Sequence, residues 1–248
     1  MKYLYVLLLW VFILPLAAQI TRSSLYIKPI IGWEEGFWQH IKEPTPHPAL
    51  QRDSYNYAAR VPTFGLELGY QIDSIYQVSM GIYQGVGREG YGFHIPPERF
   101  TVGYRNPVEH YYIAGEARLW KSSRRVMQTN LFQLSALFGA SLCRRQPKVE
   151  DTDTEMGLNW LFYTEVVEKR WGAALHAGLT FRLLTEKTQQ EMLGISLIFR
   201  QGLNRIYRNN YVLTDFTTNQ TYQTYSYTRG TTISLQLSYP IRFIKFKK

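Results

Sequence analysis

The sequence predicts an all-β chain, a single transmembrane antiparallel β-barrel of ten strands (eight as the alternative) with long extracellular loops and short periplasmic turns. Three observations carry that prediction. Apolar and polar residues alternate with period two through most of the chain after residue 20, as strands with one polar and one apolar face require. Charged residues fall at mid-strand on the polar face, and aromatic residues collect near strand ends, where a membrane interface would hold them. The 248 residues are 45% hydrophobic and 15% aromatic with a formal charge of +9, too apolar for a disordered chain. A single cysteine excludes a disulfide-stapled module and any cysteine-built metal cluster. No cofactor is called for.

The first element is an export signal. Met1 and Lys2 precede an unbroken apolar run from Tyr3 to Leu14, then Pro15, Leu16, Ala17, Ala18 and Gln19. A basic start, an apolar core and small residues before a polar one predict a secretory signal peptide over 1–18. Residues 19–248 are left as the barrel domain. The apolar run is shorter than the roughly 18 residues of a spanning helix.

Ten strands follow, at 24–34, 62–72, 75–87, 108–120, 129–142, 158–167, 172–183, 191–200, 205–216 and 229–243. The alternation is clearest where Ile233, Leu235 and Leu237 oppose Ser234, Gln236 and Ser238, and where Leu175, Leu179 and Phe181 oppose His176, Thr180 and Arg182. Connections at 35–61, 88–107, 143–157 and 217–228 are long, whereas those at 73–74, 168–171 and 201–204 are short. Long loops at one end and tight turns at the other fit a bacterial outer-membrane barrel. An even count returns both termini to the periplasm. Should 191–216 hold one irregular strand and one earlier segment be misread as a strand, the count falls to eight.

A soluble barrel would also alternate, but its inner face would be the apolar core. Here Lys28, Glu67, Glu116, Arg118, Glu165, Arg182 and Arg200 lie opposite the apolar face. Trp33, Tyr70, Tyr83, Tyr111, Trp120, Trp160, Trp171 and Tyr239 read as interfacial girdles. The charged face is therefore placed in the lumen. Eight to ten strands enclose room for side chains or one small ligand, so buried charges must pair across that lumen. The predicted polar network is Lys28, Glu67, Glu116, Arg118, Glu165, His176, Arg182 and Arg200, with His176 facing Glu165 toward the periplasmic end.

Catalytic sets are not found. His40, His47 and His94 fall in long loops among prolines, and His110 faces inward in register with Tyr112 and Glu116. No Ser or Asp matches His110 as nucleophilic catalysis requires, and no metal-ligand spacing is present. A non-enzymatic protein is expected.

The loops carry the candidate interaction residues: Trp38, Tyr55 and Tyr57 in the first, Tyr91, Phe93 and Tyr104 in the second, and Tyr222, Tyr225 and Tyr227 before the last strand. Exposed aromatics suit protein or glycan contact. Positive charge is dispersed, unlike a nucleic-acid patch. Lys121, Arg124, Arg125, Lys169 and Arg170 are expected at the periplasmic rim. Arg88, Arg99, Arg105, Arg144 and Arg145 are expected at the outer rim, facing lipopolysaccharide phosphates. The partners so implied are outer-membrane lipids and lipopolysaccharide, with envelope proteins or a secretion complex at the loops.

The signal ending Leu16-Ala17-Ala18-Gln19, the first strand Leu25-Tyr26-Ile27-Lys28-Pro29 and the closing strand from Gly230 to Tyr239-Pro240 give the chain its resemblance. It resembles the small, porin-like outer-membrane β-barrel proteins of Bacteroidota, over essentially the whole segment after the signal. The resemblance implies a barrel fold and an envelope role, structural, interacting or transport-associated. One departure is that Phe243 and Phe246 are followed by Lys247 and Lys248, where such barrels finish on an aromatic residue. Ten strands, with Asp215 near the end of the ninth, also invite comparison with the omptin proteases. The paired aspartates and Asp–His couple of that family do not assemble here.

Overall fold

The computed structural model describes residues 22–40, 61–72, 75–95, 98–122, 130–145, 152–155, 160–168, 171–185 and 191–247. The predicted signal peptide, and Tyr55 and Tyr57 of the first loop, lie outside the described residues. The strands are β1 (Arg22–His40), β2 (Val61–Ile72), β3 (Tyr76–Ile95), β4 (Glu98–Lys121), β5 (Asn130–Arg145), β6 (Thr152–Glu155), β7 (Trp160–Glu168), β8 (Trp171–Thr185), β9 (Glu191–Gly202), β10 (Tyr207–Asp215), β11 (Gln220–Ser238) and β12 (Ile241–Lys247).

Antiparallel neighbours run β1-β2-β3-β4-β5-β8-β9-β11, and β11 pairs back onto β1 from Ile30↔Ser238 to Phe37↔Thr231. The wall is a closed barrel of eight strands. Closure satisfies the backbone groups that an open sheet edge would leave bare. Pro240 has no N–H to give and separates β11 from β12. The Tyr239 amide bridges the break by donating to the Pro29 carbonyl at 3.4 Å, and β12 follows β1 down to Arg22↔Lys247.

The count of ten is thereby corrected to eight. All ten expected segments are extended, but 158–167 and 205–216 supply β7 and β10, which stand beyond the wall. There β10 pairs with β7 and with the upper part of β11, and β6 lies on β7. Removing 158–167 from the wall also reverses β8. We call the end where Arg22 meets Lys247 the terminal end. Trp171 then lies at the far end, and the facing ends of β8 and β9, at Leu184 and Glu191, lie at the terminal end. Residues 169–170, expected at the periplasmic rim, lie outside the described residues.

At the far end the strands outgrow the wall. Pairing of β3 with β4 continues to Ile95↔Glu98, whereas β2 leaves β3 after Phe64↔Gln84 and β5 leaves β4 at Val108↔Arg145. The resulting ribbon projects by about 30 Å at about 3.4 Å per residue. Gly230 has φ +73°, a left-handed conformation that glycine adopts without penalty. It sits where β11 passes from the barrel wall into the far-end sheet.

The barrel is apolar outside and polar inside. Phe138 and Phe64 are 64% and 62% exposed, while Lys28 and Arg200 are each 3% exposed. On β8 the exposed row runs from Trp171 to Phe181, about 34 Å of strand and about 24 Å of height at a tilt of about 45°. Trp33, Trp120, Trp171 and Tyr239 are exposed toward strand ends, as girdle residues would be. Tyr83 is a correction: it shares the inward face of β3 with Gln77 and Ser79 and is buried. Trp160 is a second, since its strand, β7, is outside the wall.

Candidate functional site: a charged plug in the lumen

Because successive side chains alternate across the wall, charged residues from five strands converge in the lumen. They form two tiers. In the tier nearer the terminal end, Lys28 Nζ lies 3.4 Å from Glu67 Oε1 and 3.6 Å from Glu191 Oε1. Arg182 ion-pairs with Glu116, and its Nε lies 3.1 Å from Glu191 Oε2. The same guanidinium donates to Gln77 Oε1 at 2.9 Å and Ser135 Oγ at 3.2 Å. The Tyr26 and Tyr112 hydroxyls donate to the two Glu67 oxygens at 3.1 and 2.7 Å. Tyr26 reaches this position because the wall opposite it is Gly69, where a Cβ would strike the phenol ring.

The second tier centres on Arg200. Its guanidinium lies 3.1 Å from Glu34 Oε2, donates to Ser234 Oγ at 3.0 Å and covers the Tyr83 ring at 4.3 Å. Tyr83 stacks on His110 with centroids 4.3 Å apart and planes 6° from parallel. His110 Nε2 lies 3.7 Å from Glu34 Oε1, and Nδ1 lies 3.2 Å from Cys143 Sγ. A cavity of about 20 Å³ separates the tiers, lined among others by Lys28, Glu67, Tyr112, His176, Ser196 and Arg200. That is room for roughly one water.

Five of the expected network residues meet in these tiers: Lys28, Glu67, Glu116, Arg182 and Arg200. His176 also faces the lumen, edge-on to Tyr112 at 6.0 Å. Its expected pairing with Glu165 is overturned, because Glu165 lies on β7 opposite Asn210, outside the wall. Arg118 sits half-buried at the terminal end of β4 and joins neither tier. Glu34, Glu191, Gln77, Tyr26 and Tyr83 belong to the plug and were not singled out for it from the sequence. Glu34 and Tyr83 were legible, since each shares the parity of inward residues on its own strand.

The described loop aromatics are distributed over the far end. Trp38 belongs to the last residues of β1, and Tyr91 and Phe93 lie opposite Val102 and Phe100 on the projecting ribbon, with Tyr104 opposite Glu89. Tyr222, Tyr225 and Tyr227 lie opposite Leu213, Asn210 and Arg208 in the β10–β11 pairing.

Cys143, His110 and Glu34 follow one another in the order of nucleophile, base and acid, but Cys143 is 0% exposed. A nucleophile must reach its substrate, and this thiol is walled in beneath Ala174 and Ile206. Among the described residues no group of His, Cys, Asp or Glu is arranged to hold a metal ion.

No protein-family model matches the chain, and no curated protein matches it. Among solved structures it is similar to the outer membrane protein OprG from Pseudomonas aeruginosa, at 8% identity and TM-score 0.44, over 92% of this chain and 97% of that one. It is also similar to the beta domain of the Bordetella autotransporter Brka, at 9% identity and TM-score 0.25, over 88% and 98%. Neither likeness is close enough to carry an argument about this chain, and neither bears on the resemblance to Bacteroidota barrels. The barrel stands on its own strand pairing.

Proposed function

We propose that this chain is an outer-membrane β-barrel whose lumen is closed by its own side chains, acting as a structural or loop-mediated interaction protein of the cell envelope. The observation that carries the reading is the Arg182 cluster. One guanidinium engages groups from β3, β4, β5 and β9, within a barrel whose outer face is apolar. Such a face is costly in water and required in lipid. Short connections at the terminal end and projecting far-end ribbons support a periplasmic position for the termini and an external one for the loops. Aromatic residues on those ribbons would meet envelope proteins or glycans, and the apolar belt would meet membrane lipids. Nucleic acid and enzymatic turnover have no place in the reading.

A second reading is a narrow gated path, favoured by the cavity between the tiers and by the polar lining on either side of it. A liposome-swelling assay separates the two. Vesicles bearing the refolded barrel should swell in arabinose no faster than protein-free vesicles. Swelling that scales with protein content would replace the closed scaffold with the gated path.

A further inference from the structure

We propose that the far-end rim between β4, β5 and β8 holds a binding site for the phosphate of a lipid headgroup, with Arg144 as its anchor. The proposal rests on the membrane reading above. Glu109, Arg144 and Trp171 form one cross-strand row, through the pairs Glu109↔Arg144 and Arg144↔Trp171. All three are in the outward phase of their strands.

The Arg144 guanidinium lies over the Trp171 ring at 5.6 Å and its Nη1 is 4.0 Å from Glu109 Oε2. Tyr111, one step down β4, donates to the same Glu109 oxygen at 2.9 Å, and its ring lies 6.2 Å from Trp171. The carboxylate is thus shared, and it touches the guanidinium only at the limit of an ion pair. The Arg144 side chain remains 49% exposed.

A half-exposed guanidinium beside an aromatic ring offers a planar fork of donors that phosphate oxygens accept in pairs. Directly below, Leu142 and Leu175 are exposed on the apolar belt, where the acyl chain of the same lipid would lie. Phosphate is the anion found where an apolar belt gives way to water.

The test is native mass spectrometry of the full chain released from nanodiscs of equal parts dimyristoyl phosphatidic acid and dimyristoyl phosphatidylcholine. The folded barrel should retain phosphatidic acid preferentially. Arg144→Gln should cut that preference about fivefold, the worth of one basic residue at an anionic surface, and Trp171→Leu should reduce it as well. Heat-modifiable mobility confirms that each variant is folded. Equal retention of the two lipids by wild type, or an unchanged preference in Arg144→Gln, overturns the site while leaving the membrane reading intact. Displacement of the lipid by millimolar inorganic phosphate would also overturn it, because the site would then take free phosphate. A chain that remains soluble and never enters the lipid bilayer overturns both.

Discussion

Arg182 on β8 reaches Gln77 on β3, 105 residues earlier in the chain, with a guanidinium nitrogen 2.9 Å from Oε1. Two strands of the wall separate them, so the contact spans the lumen. Arg182 also neutralises Glu116 and Glu191. Arg182→Met would leave both carboxylates buried with reduced compensation. The expected loss is about 3–5 kcal/mol of unfolding free energy, read as a lowered urea midpoint for the barrel in vesicles. Adding Glu116→Gln should recover part of that loss, because the two residues are coupled.

The outer face makes an opposite demand. Leu179 and Leu197 are directly paired, exposed and in the middle of the apolar belt. On a soluble protein, arginine at such an exposed site would be nearly neutral. Facing lipid, Leu197→Arg should cost about 2–4 kcal/mol in the same urea titration. The inward neighbour Ser196 should tolerate alanine with a much smaller change, limited to its hydrogen bond with Thr180.

Local structure was legible and topology was less so. Every expected strand is extended, because period-two alternation is a property of each segment alone. Whether a segment joins the wall depends on having one continuous apolar face, and β10 has none. Arg208, Asn209 and Asn210 are consecutive, so neither face of that strand could meet lipid. In the plug, Lys28, Glu67, Glu116, Arg182 and Arg200 followed from parity. Glu191 did not. A bulge between β8 and β9 shifts the register from Leu183↔Leu193 to Leu184↔Glu191, so Met192 and Leu193 both face outward and Glu191 turns in. Simple alternation places it on the wrong face.

The position of β7 offers a direct check on the eight-strand wall. Glu165→Cys should be labelled fully by a membrane-impermeant maleimide on intact cells, as should Asn210→Cys. The native thiol, Cys143, is buried and should remain unlabelled. A wall of ten strands would instead put residue 165 inside the membrane and protect it.

Asp215 closes the turn between β10 and β11. The Thr218 hydroxyl donates to Oδ2 at 2.7 Å and the Thr217 amide to Oδ1 at 2.8 Å. The Thr218 hydrogen bond, helped by the turn's amides, holds the carboxyl below its usual range. A depressed carboxylate stabilises the turn fully above its unfolded pKa of about 3.9 and loses that effect as pH falls through the lower folded value. A carbon-detected NMR titration should place the Asp215 midpoint below about 3.9. Thr218→Val should move it upward.

Planar-bilayer recording bears most directly on the closed lumen. Wild-type barrel, shown to be folded by its heat-modifiable mobility, should give no discrete current steps. Arg182→Ala combined with Arg200→Ala should open a path by removing both arginines of the plug. Reproducible single-channel steps from the wild-type barrel would contradict the account.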